Sequence, residues 1–415
     1  MKKFLADRLD KIRSAGNYRQ LAGSVDGVDF WSNDYLGLAR TSKRPGRDLR
    51  ASEMATRAPQ YPEMATRAPQ YPEMATRTLE GPSASLRDAS RSLNPSGATG
   101  SRSISGDADE YHTIEQMIAD YHGHPAALVF NSGYTANLGL LSALLKRTDT
   151  IYYDELMHAS CRDGIRLGMA KAIRFPHNDL RTLGELLATG GRPDGQVFVL
   201  TEGRFSMDGD LAPLADMAAL CRQHGAHLMV DEAHSGGIEG EGGAGLVAEL
   251  GLQEQVFATV ITYGKAFGAH GAAVLGSVAL REYLVNTCRP FIYTTGPAPA
   301  QWEGIAQAYE RMAVLHAERL ALLNERIQQF RQGMSEAGLA QLLSEADGPI
   351  QILHLPGNER VMAAEAACRE AGLLVKGIRS PTVAVGEERL RICLHGFNGV
   401  GEVERLVKQL IENKT

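Results

Sequence analysis

The chain has 415 residues, 44% of them apolar and 22% charged, enough to bury about three quarters of its unfolded surface in one large core with a smaller domain beside it. A net charge of −6 speaks against broad binding to nucleic acid or anionic membranes, and neither is expected as a partner. The five cysteines at 161, 221, 288, 368 and 393 form no CxxC pair; they fit reduced thiols in a cytoplasmic protein and predict neither a disulfide framework nor a metal site.

Residues 1–22 place Phe4, Leu5, Leu9 and Ile12 at helical spacing and turn acidic too soon for a secretory signal. No run of eighteen apolar residues occurs, so no membrane-spanning helix is expected. A strand and a turn follow at 28–38, completing an N-terminal segment over 1–42. The ten residues 53–62 then recur as 63–72 and start again at 73–77. A period of ten is too short for a solenoid unit. Pro59, Pro62, Pro69 and Pro72 forbid a continuous helix, so about 43–95 reads as a surface insertion.

From Gly97 onward the pattern is regular. Apolar runs at 126–130, 150–153, 172–175, 197–201, 227–230, 257–262 and 272–276 alternate with helical stretches such as 133–146, 179–189 and 213–224. That alternation predicts an α/β domain over 96–296 built on a mainly parallel, seven-stranded sheet, with its ligand at the carboxyl ends of the strands. A long amphipathic helix at 303–338 leads into strands at 350–355, 373–378 and 389–394 and helices at 359–371 and 400–413. Together, 297–415 reads as a connecting helix and a small α+β domain.

Polar residues gather where the strands end. The run at 257–262 breaks at Gly264 and delivers Lys265; the run at 227–230 ends in Asp231-Glu-Ala-His234. A lysine and an aspartate so placed suit pyridoxal phosphate: the lysine forms a Schiff base with the aldehyde, and the aspartate keeps the pyridine nitrogen protonated. Ser132-Gly133-Tyr134 opens a helix after a strand, a natural seat for phosphate. His158 and Ser206 also lie just past strands. Taken alone, His158 reads as a capping or core histidine and Gly133 as an ordinary turn; their joint position on one rim carries the weight. Asp231-Glu-Ala-His234 also spells an ATPase box, but no phosphate-binding G-x-x-x-x-G-K-[ST] lies upstream. Gly240-Glu-Gly-Gly-Ala-Gly245 matches G-x-G-x-x-G without following a strand and reads as a loop. His122-Gly-His124 lacks a third metal ligand and reads as a surface turn.

The ordered motifs Asn33-Asp-Tyr-Leu-Gly-Leu, Gly100-Ser-Arg-Ser-Ile-Ser-Gly106, Asn131–Asn137, His158-Ala-Ser, Ser206-Met-Asp-Gly-Asp, Asp231-Glu-Ala-His, Thr262-Tyr-Gly-Lys265 and Ile378-Arg-Ser-Pro-Thr382 resemble those of the α-oxoamine synthases, fold-type-I pyridoxal-phosphate transferases that condense an amino acid with an acyl thioester. The resemblance covers nearly everything outside 43–95. Tyr153-Asp-Glu-Leu-Met-His158 and Phe291-Ile-Tyr-Thr-Thr295 are most similar to members joining L-alanine to a pimeloyl thioester; members using glycine or serine, and aminotransferases of the same fold, are the alternatives. The resemblance implies a homodimer with a shared active site. It implies that Lys265 carries the cofactor and moves the α-proton, Asp231 pairs with the ring nitrogen, His158 stacks on the ring, and Ser206 and His234 bond its phenolic oxygen. Ser132, Gly133, Tyr134 and Thr262 would hold the phosphate with Thr295 of the second subunit. Arg391 and Arg379 would clamp the substrate carboxylate, with Arg19, Asn33 and Thr382 positioning substrate. The departures are a longer spacing here than in the family between Asn33-Asp-Tyr-Leu-Gly-Leu and Gly100-Ser-Arg, so that the repeats read as inserted, Ser380, where the family has proline, and Ser235-Gly-Gly237 after the histidine.

Overall fold

The computed structural model describes residues 2–14, 25–40, 97–192, 194–380 and 382–412; Arg19 and the expected 43–95 insertion lie outside the described residues. Helix α1 (Lys2–Ser14) and the two-residue strand β1 (Val28–Asp29) precede α2 (Asp109–His122). The regular part then runs β2 (Ala126–Phe130), α3 (Gly133–Leu144), β3 (Thr150–Asp154), α4 (Ala159–Gly168), β4 (Lys171–Phe175), α5 (Leu180–Ala188), β5 (Val197–Glu202), α6 (Leu214–His224), β6 (His227–Asp231), β7 (Val256–Thr262), β8 (Ala272–Gly276) and α7 (Val278–Thr287). Ser132, Asp179 and Ser277 each accept a first-turn amide and so fix where α3, α5 and α7 begin.

β2 to β8 form one seven-stranded sheet in the order β2-β8-β7-β6-β5-β3-β4. Only β8 runs against its neighbours; β3 to β7 pair in parallel. The strands are almost continuously apolar because both faces of the sheet are covered. Successive residues serve opposite faces: Phe198 and Leu200 pack with Leu140, Cys161 and Ile165 of α3 and α4, whereas Val199 packs with Leu183 and Met217 of α5 and α6. As β2, β3, β5, β6 and β7 are parallel, the polar residues following them come to one rim, as the sequence pattern predicts.

Helix α8 (Pro299–Glu336) is 38 residues long and leads to β9 (Ile350–His354), α9 (Asn358–Glu370), β10 (Leu373–Leu374), β11 (Lys376–Ile378), β12 (Arg389–Cys393) and α10 (Val400–Glu412). β11, β12 and β9 make an antiparallel sheet. β1 pairs in parallel with β10, and the Cys393 amide donates to the Phe30 carbonyl at 2.8 Å, so the 25–40 segment is stitched to the C-terminal half. Among the described residues no helix is long and apolar enough to cross a membrane, and all five cysteines are buried and outside any disulfide.

One sequence expectation is overturned. His122 and His124 lie in no surface turn but are buried. His122 Nδ1 meets the Ala244 carbonyl at 2.7 Å and Nε2 meets Tyr309 Oη of α8 at 2.8 Å. α2 carries enough charge to look solvent-facing, yet its C-terminal turn, closed by left-handed Gly123 (φ 71°), is capped over by α8 and the 240–245 turn.

Candidate active site

Lys265 follows the end of β7 and is half-buried. Its ammonium makes no hydrogen bond or ion pair among the described residues. Burial pulls its pKa well below the usual lysine range, opposed by the charges of Asp231 and Glu202 and assisted by that of Arg391. An amine so held is in part unprotonated near neutrality, as a nucleophile toward an aldehyde must be.

Asp231 closes β6 and is buried; its Oδ1 accepts the Ala233 amide at 3.0 Å and its Oδ2 accepts Asn137 Nδ2 at 2.7 Å. Asn137, one turn into α3, also donates to Ser160 Oγ at 3.1 Å, and Ser160 in turn meets His158 Nδ1 at 2.8 Å. His158 caps α4 by accepting the Ser160 amide at 3.3 Å, which is its ordinary local role, and it keeps an exposed side chain on the rim. Burial lowers its pKa despite Asp231.

Glu202, at the end of β5, links two of these turns. Its Oε1 accepts the His158 amide at 2.8 Å and its Oε2 the Ser206 amide at 3.3 Å. It is buried, and burial followed by the charge of Asp231 pushes its carboxyl up toward neutrality, against the pull of Lys265. The Ser206 carbonyl accepts Arg391 Nε at 2.8 Å. Arg391 NH2 donates to Asn33 Oδ1 at 3.0 Å, and NH1 meets Cys393 Sγ at 2.9 Å. Buried on β12, Arg391 touches no carboxylate among the described residues. Tyr35 joins the 25–40 segment to the rim: its hydroxyl donates to Asn33 Oδ1 at 3.1 Å and meets His234 Nδ1 at 2.7 Å. Burial, then the Lys265 charge, holds His234 neutral.

Gly133 opens α3 against the end of β7. A Cβ there would lie 2.5 Å from Thr262 Cγ2, so only glycine lets the helix start approach the strand so closely. The first amides of a helix have no intrahelical acceptor; those of Gly133 and Tyr134 stand beside Thr262, whose hydroxyl donates to the Ala233 carbonyl at 3.3 Å.

The structure thus gathers Asp231, His158, Ser206, His234, Asn33 and Arg391 through a connected set of contacts, with the charges of Asp231, Glu202 and Arg391 acting on Lys265 and with Ser132, Gly133 and Thr262 beside them. Tyr134 is exposed and bonds Asp163 of α4. Thr295 is exposed, and its carbonyl accepts Asn131 Nδ2 at 3.0 Å. Arg379 and Thr382 lie in the turn after β11, where the Thr382 amide bonds the Arg379 carbonyl at 2.9 Å. Asn137, Glu202 and Tyr35 escaped the sequence reading. The first lies inside a motif that was recognised for its glycine, the second beside Ser206, and the third inside Asn33-Asp-Tyr; proximity to an assigned residue was the only signal available.

The Aminotransferase class I and II family matches residues 70–410. An 8-amino-7-oxononanoate synthase from Alkalilimnicola ehrlichii is 37% identical over 99% of this chain and 97% of its own. Among solved structures, serine palmitoyltransferase of Sphingomonas wittichii superposes with a TM-score of 0.79 at 25% identity, covering 99% of this chain and 96% of that one. The 8-amino-7-oxononanoate synthase of Francisella tularensis gives 0.70 at 26%, covering 93% and 97%. The residues present fit pyridoxal phosphate: an unpaired amine, a buried carboxylate, and a helix start that a single Cβ would crowd. Sheet, rim and relatives agree, and the chain belongs to the aminotransferase class I and II family of fold-type-I pyridoxal-phosphate enzymes, among the 8-amino-7-oxononanoate synthases.

Proposed function

We propose that the rim of the large sheet joins L-alanine to a pimeloyl thioester, giving 8-amino-7-oxononanoate for biotin synthesis. A carbon–carbon bond forms between the alanine α-carbon and the acyl carbonyl, the carbon–sulfur bond breaks to release the thiol, and the alanine carboxylate leaves as CO2. Pyridoxal phosphate, when bound, supplies an aldehyde for the amino group and a ring that withdraws electrons from the α-carbon.

The chain's own residues divide the remaining work. Lys265 anchors the cofactor and takes and returns the α-proton at its Nζ; burial that disfavours its charged form suits it to both. Asp231, held by Asn137, fixes the ring nitrogen. His158 covers one face of the ring, and Ser206 and His234 address its phenolic oxygen. The amides of Gly133 and Tyr134, with Ser132 and Thr262, seat the phosphate. Arg391 takes the alanine carboxylate in bidentate fashion, oriented by Asn33 and the Ser206 carbonyl; Arg379 and Thr382 border it.

One observation carries this reading: a buried guanidinium without a carboxylate partner among the described residues is bonded, through the Ser206 carbonyl, to the rim that carries an unpaired lysine. An uncompensated buried cation is unfavourable on its own, which marks the place where a substrate anion belongs. The enzyme works as a cytoplasmic homodimer in which exposed Thr295, next but one to a Tyr293 that is 73% exposed, completes the partner's phosphate seat. Residues 96–296 form the cofactor domain and 297–415 the smaller one. The test is turnover by purified protein given pyridoxal phosphate, L-alanine and pimeloyl thioester, with CO2 and product counted together; CO2 without a new carbon–carbon bond would refute the reading.

A further inference from the structure

Away from the cofactor face, the same rim holds a second charged group that the chemistry above does not use. His177 follows β4. Its Nδ1 lies 3.1 Å from each oxygen of Asp154, at the end of β3, and its Nε2 lies 2.8 Å from Asp210 Oδ2, past β5. With a carboxylate on each ring nitrogen, both must carry hydrogen: a neutral imidazole donates from one nitrogen only and would set a lone pair against an anion at the other. Asp154 is fully buried, so its charge needs the partner. Asn178, in a left-handed conformation (φ 54°), adds bonds from its amide to Asp154 Oδ2 at 2.9 Å and from Nδ2 to Asp210 Oδ2 at 2.8 Å. The Phe205 ring meets the imidazole edge-on at 4.4 Å.

Both carboxylates lead into the active site. Asp154 Oδ1 accepts the Leu156 amide at 2.9 Å within the turn that ends at His158. Asp210 closes a tight loop: its carbonyl accepts the Phe205 amide at 2.9 Å, the Phe205 carbonyl accepts the Gly209 amide at 2.9 Å, and the Ala212 amide returns to the Gly203 carbonyl at 3.0 Å. That loop carries Ser206 and is also the small domain's docking point. Asp208 pairs with Arg389, the Met207 carbonyl accepts Arg389 NH1 at 3.4 Å, and the Ser206 carbonyl accepts Arg391 Nε at 2.8 Å.

We propose that His177 is a positioning residue for the condensation: as an imidazolium it clips Asp154 to Asp210 and so holds the 204–211 loop where Ser206 faces the cofactor and its carbonyl aims Arg391 at the amino-acid carboxylate. This rests on the substrate role given to Arg391 above. The groups facing His177 are Asp154, Glu155 (whose Oε1 accepts the His177 amide at 3.2 Å) and Asp210, all acidic. Burial works against the proton, but the hydrogen bonds and charges of Asp154 and Asp210 raise the pKa from an ordinary 6.5 to about 10. The stability the clip contributes is therefore fully present below pH 6.5, and the clip is lost as pH rises through about 10.

The test compares His177→Gln and Asp210→Asn with the parent protein and with Arg391→Lys. KM for L-alanine is set against kcat, and amide hydrogen exchange is followed at Phe205, Gly209 and Ala212 without substrate. His177→Gln is expected to raise KM about ten-fold with kcat within about three-fold. The three loop amides should exchange about ten times faster while Leu128 and Val274, in the β2–β8 pair, stay as they were. Asp210→Asn, which leaves one carboxylate, should give a smaller effect at neutral pH and lose loop protection at a lower pH than the parent. Unchanged loop exchange in His177→Gln overturns the clip, and so does equal acceleration at Leu128 and Val274. Faster loop exchange with an unchanged KM overturns its link to substrate. If Arg391→Lys leaves KM unmoved, the substrate reading has failed instead, and the exchange data judge the clip alone.

Discussion

Two buried groups of charges in this molecule follow opposite rules. At the β2 edge, Glu115 of α2 is saturated: its Oε1 takes Arg102 NH1 and the Val129 amide, and its Oε2 takes Arg102 NH2 at 3.3 Å and Arg281 NH2 at 2.8 Å. Arg102 adds Asp107 at 2.7 Å and lies over the Trp302 ring, 5.0 Å from its centroid. On the rim, Lys265 is unpaired among the described residues, and Arg391 meets a carbonyl, an amide oxygen and a thiol but no carboxylate among them. The first group is organised to stay as it is. In the proposed function the second holds its cations ready for anions and an aldehyde that arrive from outside, so the fold would carry an unfavourable charge there in exchange for reactivity.

Substitutions can break this contrast. Lys265→Ala is expected to lower turnover by on the order of 10⁴-fold while leaving the melting temperature equal or higher, since it removes a poorly compensated cation; a large drop in melting temperature would place Lys265 with the structural charges. Glu115→Gln should do the reverse. It leaves the buried Arg102 and the half-buried Arg281 short of a partner and costs about 3–5 kcal/mol in denaturant unfolding, while the folded fraction keeps its kcat. Arg391→Lys, which keeps charge but loses the fork, should raise KM for L-alanine about a hundred-fold with little change in stability. The smallest effect is one of pH. Because burial lowers Lys265 from 10.5 to about 8, the unfolded chain binds one more proton at that lysine between those values, and Lys265 contributes stability that rises with pH across that window, against the fall that His177 brings up to about 10. The rise should vanish in Lys265→Ala, as chemical denaturation at stepped pH will tell.

The sheet and its rim were legible because parallel strands buried on both faces leave long apolar runs, and the breaks in those runs are where Lys265, Asp231 and His158 stand. Asn137, Glu202 and Tyr35 were not, because each works through a partner far along the chain: Asn137 reaches Asp231, Tyr35 reaches His234, and Glu202 gathers the amides of His158 and Ser206. No local periodicity records such contacts. His122 was misread for the same reason, since its burial is set by Tyr309 on a helix nearly two hundred residues away. Nothing in the local sequence marks His177, because two carboxylates converge on it only after three strands have aligned.

The central claim is that the unpaired amine of Lys265 is where pyridoxal phosphate attaches. The direct measurement is borohydride reduction of the cofactor-loaded protein, followed by peptide mass mapping. The expected result is loss of the visible band together with one stoichiometric label, on Lys265. Label spread over surface lysines, or a Lys265 peptide recovered unmodified from fully bleached protein, would contradict it.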